Sequence, residues 1–250
     1  SKKNNYLASL SREGNLIGIA LLDISTGEFL VSRGKKELIE QILHNFSPSE
    51  IICSRTDKEY FESFYNNISV FYLDDWIYKI GYAYDKLTSF FKVQNLKGYG
   101  IENLKEGIIS AGAILFYLES TEHHDLGHIS SISRIEDDRY MWLDRFTIDN
   151  LEIISPLNEN SSALLNIINH TVTPMGSRLL NRWIILPLLE KSLINERQDF
   201  VQSFIDDLDL LKNVRTTLKS ISDIERIVSK ISVKRVNPKE LIQLKNSLKN

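Results

Sequence analysis

Few residues in this chain combine a type and a spacing that could do chemistry. Asp23 closes the apolar run Ile17-Gly-Ile-Ala-Leu-Leu22, just before the turn-forming Ser25-Thr-Gly27. A carboxylate in that position suits a nuclease that gathers three or four acids around two metal ions. Its partners would have to be Asp74, Asp75 or Glu106, and none of these lies in a recognisable motif. The alternative is that Asp23 and Ser25 simply hydrogen-bond the turn backbone. His123, His124, Asp125 and His128 are dense enough to suggest a cation site. Adjacent histidines diverge on a helix, however, and no cysteine or second histidine cluster supports them, so no metal is expected.

The other reactive possibilities fail on spacing. Gly27 and Gly34-Lys35 do not have the separation of a phosphate-binding loop, and Gly98-Tyr-Gly100 lacks the third glycine of a dinucleotide fingerprint. No ATP site is expected in these residues. There is no Gly-x-Ser-x-Gly elbow, and the lone Cys53 sits in the apolar run Ile51-Ile-Cys53, where a buried, inert thiol is expected. Lys212, Arg215, Lys219, Arg226, Lys230, Lys234, Arg235, Lys239, Lys245 and Lys249 make the end of the chain basic. No aromatic residue is interleaved with them, so base stacking is not indicated, whereas phosphate contact is open.

The elements that must position these residues fall into two groups. Ile17–Leu22 and Glu28–Val31 read as two strands around a tight turn, with further strands at Glu50–Ser54 and Ser69–Leu73. Helical spacing covers Lys36–Phe46 and then roughly 76–92 and 103–122, and Thr56 with Glu59 suggests a capping box for a short helix to about Tyr65. Strands alternating with helices predict an α/β domain over 1–130. A polar stretch from Thr121 to Asp138 separates it from a segment over 131–250 that is helical from Ser161 onward. Before that, Tyr140–Leu143 and Asn150–Ile154 read as extended. Thr173 and Pro174 open a helix whose Met175, Leu179, Leu180 and Trp183 form an apolar stripe expected to face a core, with Arg178 paired to a nearby acid. Ser222 with Glu225, and Asn237-Pro238 with Glu240, give two more helix starts.

The 250 residues carry a net charge of −3. Residues 1–170 hold 16 Lys/Arg against 24 Asp/Glu, or −8, and residues 171–250 hold 14 against 9, or +5. No apolar run approaches the roughly 20 residues of a membrane-spanning helix, and the first ten residues lack a signal-peptide core, so a cytoplasmic setting is expected. The chain starts like an interior segment and stops at Asn250 without a helix cap, as a piece of a longer protein would.

The order of short motifs resembles the MutS family of DNA mismatch-recognition proteins across nearly the whole chain. Asn4-Asn-Tyr-Leu-Ala8, Leu22-Asp-Ile-Ser-Thr-Gly-Glu-Phe29, Ser47-Pro-Ser-Glu50, Ala111-Gly-Ala113 and Leu126-Gly-His-Ile129 resemble the family's connector domain. Tyr140-Met-Trp-Leu-Asp144, Thr147 and Asn150-Leu-Glu-Ile153 resemble the entry to the helical core. Thr171-Val-Thr-Pro-Met-Gly-Ser-Arg-Leu-Leu180, Arg197, Asp199, Val201 and Ile221-Ser-Asp-Ile-Glu-Arg226 resemble the core itself, with a departure at Asn181, where the family more often has a basic residue.

The resemblance implies a ribonuclease-H-like connector without nuclease activity, followed by the first part of an all-α core (lever) domain. It implies that the parent binds mismatched double-stranded DNA, uses ATP and Mg, works beside a second MutS subunit and recruits MutL. The mismatch-reading Phe-x-Glu motif, the clamp insertion and the Walker motifs have no counterpart in these residues, so the piece itself is expected to be no enzyme. Family-motif residues expected to be structural are Asp23, Thr26, Gly27, Thr173, Met175, Gly176, Arg178, Leu179, Trp183, Arg197, Asp223, Glu225 and Arg226. The competing readings are a ribonuclease-H-like, metal-dependent nuclease with a helical appendage, and a self-contained DNA-binding module built on the basic helices.

Overall fold

The structure, a computed structural model, describes residues 4–64, 68–121, 126–136, 139–158 and 161–249. These fall into two compact units, one of residues 5–135 with 229–234 and the other of residues 136–228 with 4 and 235–249.

The first unit is a mixed six-stranded sheet in the order β5-β4-β1-β2-β3-β6. Strands β1 (Tyr6–Glu13), β2 (Leu16–Asp23) and β3 (Glu28–Gly34) form an antiparallel meander. Helix α1 (Lys36–Phe46) leads to β4 (Glu50–Ser54), which runs parallel to β1. Short helix α2 (Lys58–Phe61) leads to β5 (Ser69–Leu73), parallel to β4. Helices α3 (Ile80–Phe91) and α4 (Lys105–Ser120) follow, and β6 (Ser133–Arg134) closes the far edge beside β3.

Strand β1 is central but hard to see in the sequence, because buried Ser9 and Ser11 interrupt its apolar pattern. Both are satisfied by neighbours: the Ser11 hydroxyl donates to the Glu106 carbonyl (2.7 Å), and Ser9 lies 3.4 Å from the Tyr78 hydroxyl. A buried hydroxyl with a partner costs little, whereas an unpaired one costs a full desolvation penalty. Leu7, Ala20, Leu22, Phe29, Val31 and Ile52 line the face packed against α3 and α4. Gly18 permits that packing, since a Cβ there would sit 2.1 Å from the Glu106 carbonyl carbon.

The Thr56–Glu59 capping box does not form. Helix α2 starts after Asp57 without a side-chain cap, because the Thr56 hydroxyl is bonded to Asp75 instead.

The second unit is helical and more open. After α5 (Arg145–Asn150) and α6 (Leu164–Ile168) come α7 (Pro174–Ile185), α8 (Lys191–Asp206), α9 (Leu208–Lys219), α10 (Ile224–Ser232) and α11 (Pro238–Ser247). Helix α5 lies between the two stretches read as extended, Tyr140–Leu143 and Asn150–Ile154, and overlaps them only at Asn150. The Asp144 side chain accepts from the Thr147 backbone N–H (2.9 Å) and nucleates a helical turn that reaches Asn150. Tyr140 does make an isolated antiparallel bridge, with Leu188. Two caps match the sequence reading: Thr173 accepts from the Gly176 N–H with Pro174 in the first turn, and Asn237 with Glu240 forms a complete capping box. Ser222 and Glu225 do not form the other one, since Ser222 pairs with Ser247 (2.7 Å) and Glu225 with Arg178.

Candidate functional site

The most tightly organised polar site lies in the helical unit, where α7 meets the segment leading into α10. Thr173 and Pro174 fix where α7 starts, and this determines which way Arg178 points. Arg178 and Ile185 are two turns apart on one face, and both are buried. The Arg178 guanidinium reaches Asp223 with both terminal nitrogens, Nη1 to Oδ2 at 2.8 Å and Nη2 to Oδ1 at 2.7 Å. Nη2 also donates to Glu225 Oε2 at 2.5 Å. This two-pronged contact is the strong form of an arginine–carboxylate pair. The Arg178 side chain is only 5% exposed and that of Asp223 17%.

Electrostatics follow from that geometry. Burial alone would raise the Asp223 carboxyl, but the hydrogen bonds and charge of Arg178, helped by Arg226, outweigh it and hold the group below its ordinary value of 3.8. The hydrogen bonds that Arg178 donates, to Asp223 first and then to Glu225, push its guanidinium further up against a smaller desolvation effect. Arg226 Nε lies 3.8 Å from Asp223, one turn along α10. A site of this kind holds two helices in a fixed register.

Leu179 and Trp183 are corrections to the sequence reading. They are 49% and 41% exposed and do not pack in a core, while Met175 is half-buried. The reason is rotational. With Arg178 turned inward to reach its acids, residues one and five positions later are carried roughly 100° and 140° around the helix. Trp183 instead stacks under Arg197 of α8, whose guanidinium carbon is 3.8 Å from the ring centroid. Desolvation at that contact pulls the Arg197 guanidinium below its ordinary value.

Sequence reasoning missed the support around α7. Asn169 donates to the buried Ser177 hydroxyl (2.8 Å) and accepts from the Thr171 hydroxyl (2.6 Å). An Asn-x-Thr triplet just ahead of a helix cap is the signal that could have found it.

In the sheet unit, Asp23 is buried at the end of β2 and serves the turn. It accepts from the Ser25 backbone N–H (2.9 Å), the Ser25 hydroxyl (2.6 Å) and the Asn5 N–H (3.3 Å). Thr26 accepts from the Glu28 N–H (3.4 Å), and Gly27 takes a left-handed φ of +78° with the His128 carbonyl where a Cβ would go. The other acids of the nuclease reading are committed elsewhere: Asp74 to Arg55, Asp75 to Ser54 and Thr56, and Glu106 to Arg33. Among the described residues no three His, Cys, Asp or Glu side chains gather in a way that could hold a metal ion. His123, His124 and Asp125 lie outside the described residues; His128 Nε2 is 2.7 Å from the Ile24 carbonyl. Cys53 is buried in β4, and no helix among the described residues is long and apolar enough to cross a membrane.

A mixed-sheet unit followed by a helical unit, the latter with a buried arginine–carboxylate pair joining two of its helices, defines a two-part segment of α/β and then all-α structure. Comparison with known proteins gives the family. The family model for MutS domain II matches residues 5–130, and that for MutS domain III matches residues 146–250. A DNA mismatch repair protein MutS from Flavobacterium psychrophilum is 48% identical over 249 residues, covering 99% of this chain and 29% of that protein. The proteins of the same name from Cytophaga hutchinsonii and Parabacteroides distasonis are 47% and 45% identical, again over 98–99% of this chain and 29% of theirs. The chain belongs to the MutS family of DNA mismatch repair proteins. It spans less than a third of the length of these relatives.

Proposed function

We propose that the chain supplies the connector domain, over 1–130, and the first part of the core or lever domain, over 131–250, of a protein that recognises mismatched DNA. In this reading the sheet unit is a ribonuclease-H-like connector that has no nuclease centre and docks MutL. The helical unit passes ATP state between the ATPase and the DNA clamp, and ATP with Mg, mismatched double-stranded DNA and a second MutS subunit belong to the parent protein, in the cytoplasm. The two family matches, in the order domain II then domain III, are the observation that carries this reading. The meander β1–β3 flanked by parallel β4 and β5 supports the ribonuclease-H-like description.

The family-motif residues then have architectural roles. Asp23, Thr26 and Gly27 form the β2–β3 turn; Thr173, Met175 and Gly176 start α7; Arg178, Asp223, Glu225 and Arg226 lock it to α10; Leu179 and Trp183 form its outer face, where Trp183 meets Arg197 of α8. The test is a pair of assays on this chain. Its Mg- and Mn-dependent nuclease activity is compared with that of Asp23→Asn, and its binding to a G·T-mismatched duplex with binding to the matched duplex. Cleavage that disappears in Asp23→Asn, or tight mismatch-selective binding by these residues alone, contradicts the reading.

A further inference from the structure

The large apolar side chains that the sheet unit leaves exposed, among its described residues 5–135, are Leu16, Phe71 and Trp76. Leu16 stands alone at the start of β2. Phe71 (42% exposed) and Trp76 (52%) each belong to an aromatic cluster. Trp76 packs edge-on against Tyr82 (5.0 Å between ring centroids) and Phe116 (5.4 Å), and Phe71 packs against Tyr117 at 5.4 Å. Phe116 and Tyr117 are adjacent on α4, so the two clusters form one flank along that helix. Ring-on-ring packing, edge-on at Trp76 and tilted at Phe71, holds the side chains in place, which makes a rigid apolar surface at small entropic cost on binding.

The flank runs beside an edge of the sheet. Strand β5 is the last in the order and pairs with β4 on one side. Its sequence, Ser-Val-Phe-Tyr-Leu, contains no charge and no proline, the usual devices that keep an edge from accepting another strand. Charge narrows the occupant. Residues 5–135 carry 12 Lys/Arg against 17 Asp/Glu, or −5, which disfavours both a nucleic acid and a second copy of the same acidic domain. Close to the flank, Asp74 and Glu119 are exposed carboxylates whose partners, Arg55 and Lys86, balance them locally.

We propose that this flank and the β5 edge dock an extended segment of a partner protein, apolar at alternate positions and neutral to basic overall, which adds a strand beside β5 and seats its apolar side chains on Phe71 and Trp76. The proposal rests on the reading that the sheet unit docks MutL, and it names the surface used. The test measures binding of purified MutL from the same genome to this chain, by biolayer interferometry, for wild type, Phe71→Lys, Trp76→Ala and the control Leu16→Ala. Circular dichroism and thermal melts identify variants that remain folded, and Phe71→Gln serves if Phe71→Lys does not. The expected result is binding weakened at least about tenfold by the Phe71 and Trp76 changes and unchanged by Leu16→Ala. Wild-type binding that folded Phe71 and Trp76 variants retain in full overturns this surface while leaving the MutL reading intact. No binding by wild type overturns the MutL reading and this proposal with it.

Discussion

Replacing Arg178 with methionine isolates the contribution of the ion-paired site, because methionine keeps most of the side-chain volume and removes the charge. Three hydrogen bonds are lost, two to Asp223 and one to Glu225. Glu225 is about half exposed and regains water at little cost. Asp223 is left mostly buried, keeping the Arg226 backbone N–H as a donor, while Arg226 Nε, at 3.8 Å, makes an ion pair beyond hydrogen-bond range. Stranding one member of a buried pair costs about 3–5 kcal/mol, and the partial access of Asp223 to water and Arg226 puts this case near 3. With a urea dependence of about 2 kcal/mol per M, the helical unit's midpoint falls by roughly 1.5 M. The assay is urea unfolding followed by Trp183 fluorescence in a Trp76→Phe/Trp142→Phe background, so that Trp183 alone reports. Arg178→Met/Asp223→Leu, which removes both charges, recovers most of the loss. An Arg178→Met midpoint within about 0.2 M of the parent, an order of magnitude below the expected shift, refutes the argument that this pair holds α7.

Three other perturbations separate the elements. Trp183→Ala removes a half-exposed ring and its contact with Arg197, so it lowers stability by about 1 kcal/mol, not the 3–5 of a buried tryptophan; a thermal melt showing the larger loss contradicts the outward placement of this face. Asp223 titrates below 3.8 in the folded chain, so its extra stability is complete above its unfolded value and disappears as pH falls through the folded one. The stability gap between wild type and Asp223→Asn is therefore flat from neutrality to about pH 5 and narrows in more acid solution, and a gap at about pH 2 as large as at neutrality contradicts the pairing. Gly18→Ala drives a methyl into the backbone at Glu106 and costs about 3 kcal/mol or more through displacement of α4, read by unfolding of the sheet unit with Trp76 fluorescence; a melt equal to wild type shows the close approach is not required.

Much of the architecture could be read from local rules. The β2–β3 turn, α1, and the starts of α7 and α11 each follow from a cap, a glycine or a clear period, and the structure has them at those residues. What could not be read depended on partners distant in sequence. Strand β1 carries serines in a buried position because α4, nearly a hundred residues later, supplies the carbonyl that Ser11 needs. Thr56 has the spacing of a cap, but Asp75 competes for its hydroxyl. The apolar stripe of α7 gave the wrong inward face, because the charge pair of Arg178, not Leu179 and Trp183, sets the helix rotation. Periodicity weighs hydrophobic area only, and here a buried two-pronged ion pair wins. The family itself was legible in the order of short motifs and in no single one of them.

If these residues are the connector and first core segment of a mismatch-repair protein, they can stand in for the same segment of a relative. The 249-residue stretch that aligns with the Flavobacterium psychrophilum MutS replaces its counterpart there, and the chimera is expressed in cells lacking their own MutS. The measurement is the spontaneous mutation frequency. The expected result is a return to the frequency seen with the unaltered relative, and loss of that rescue in the Arg178→Met version. A soluble chimera, present at normal level, that leaves the frequency at that of the deletion strain contradicts the claim.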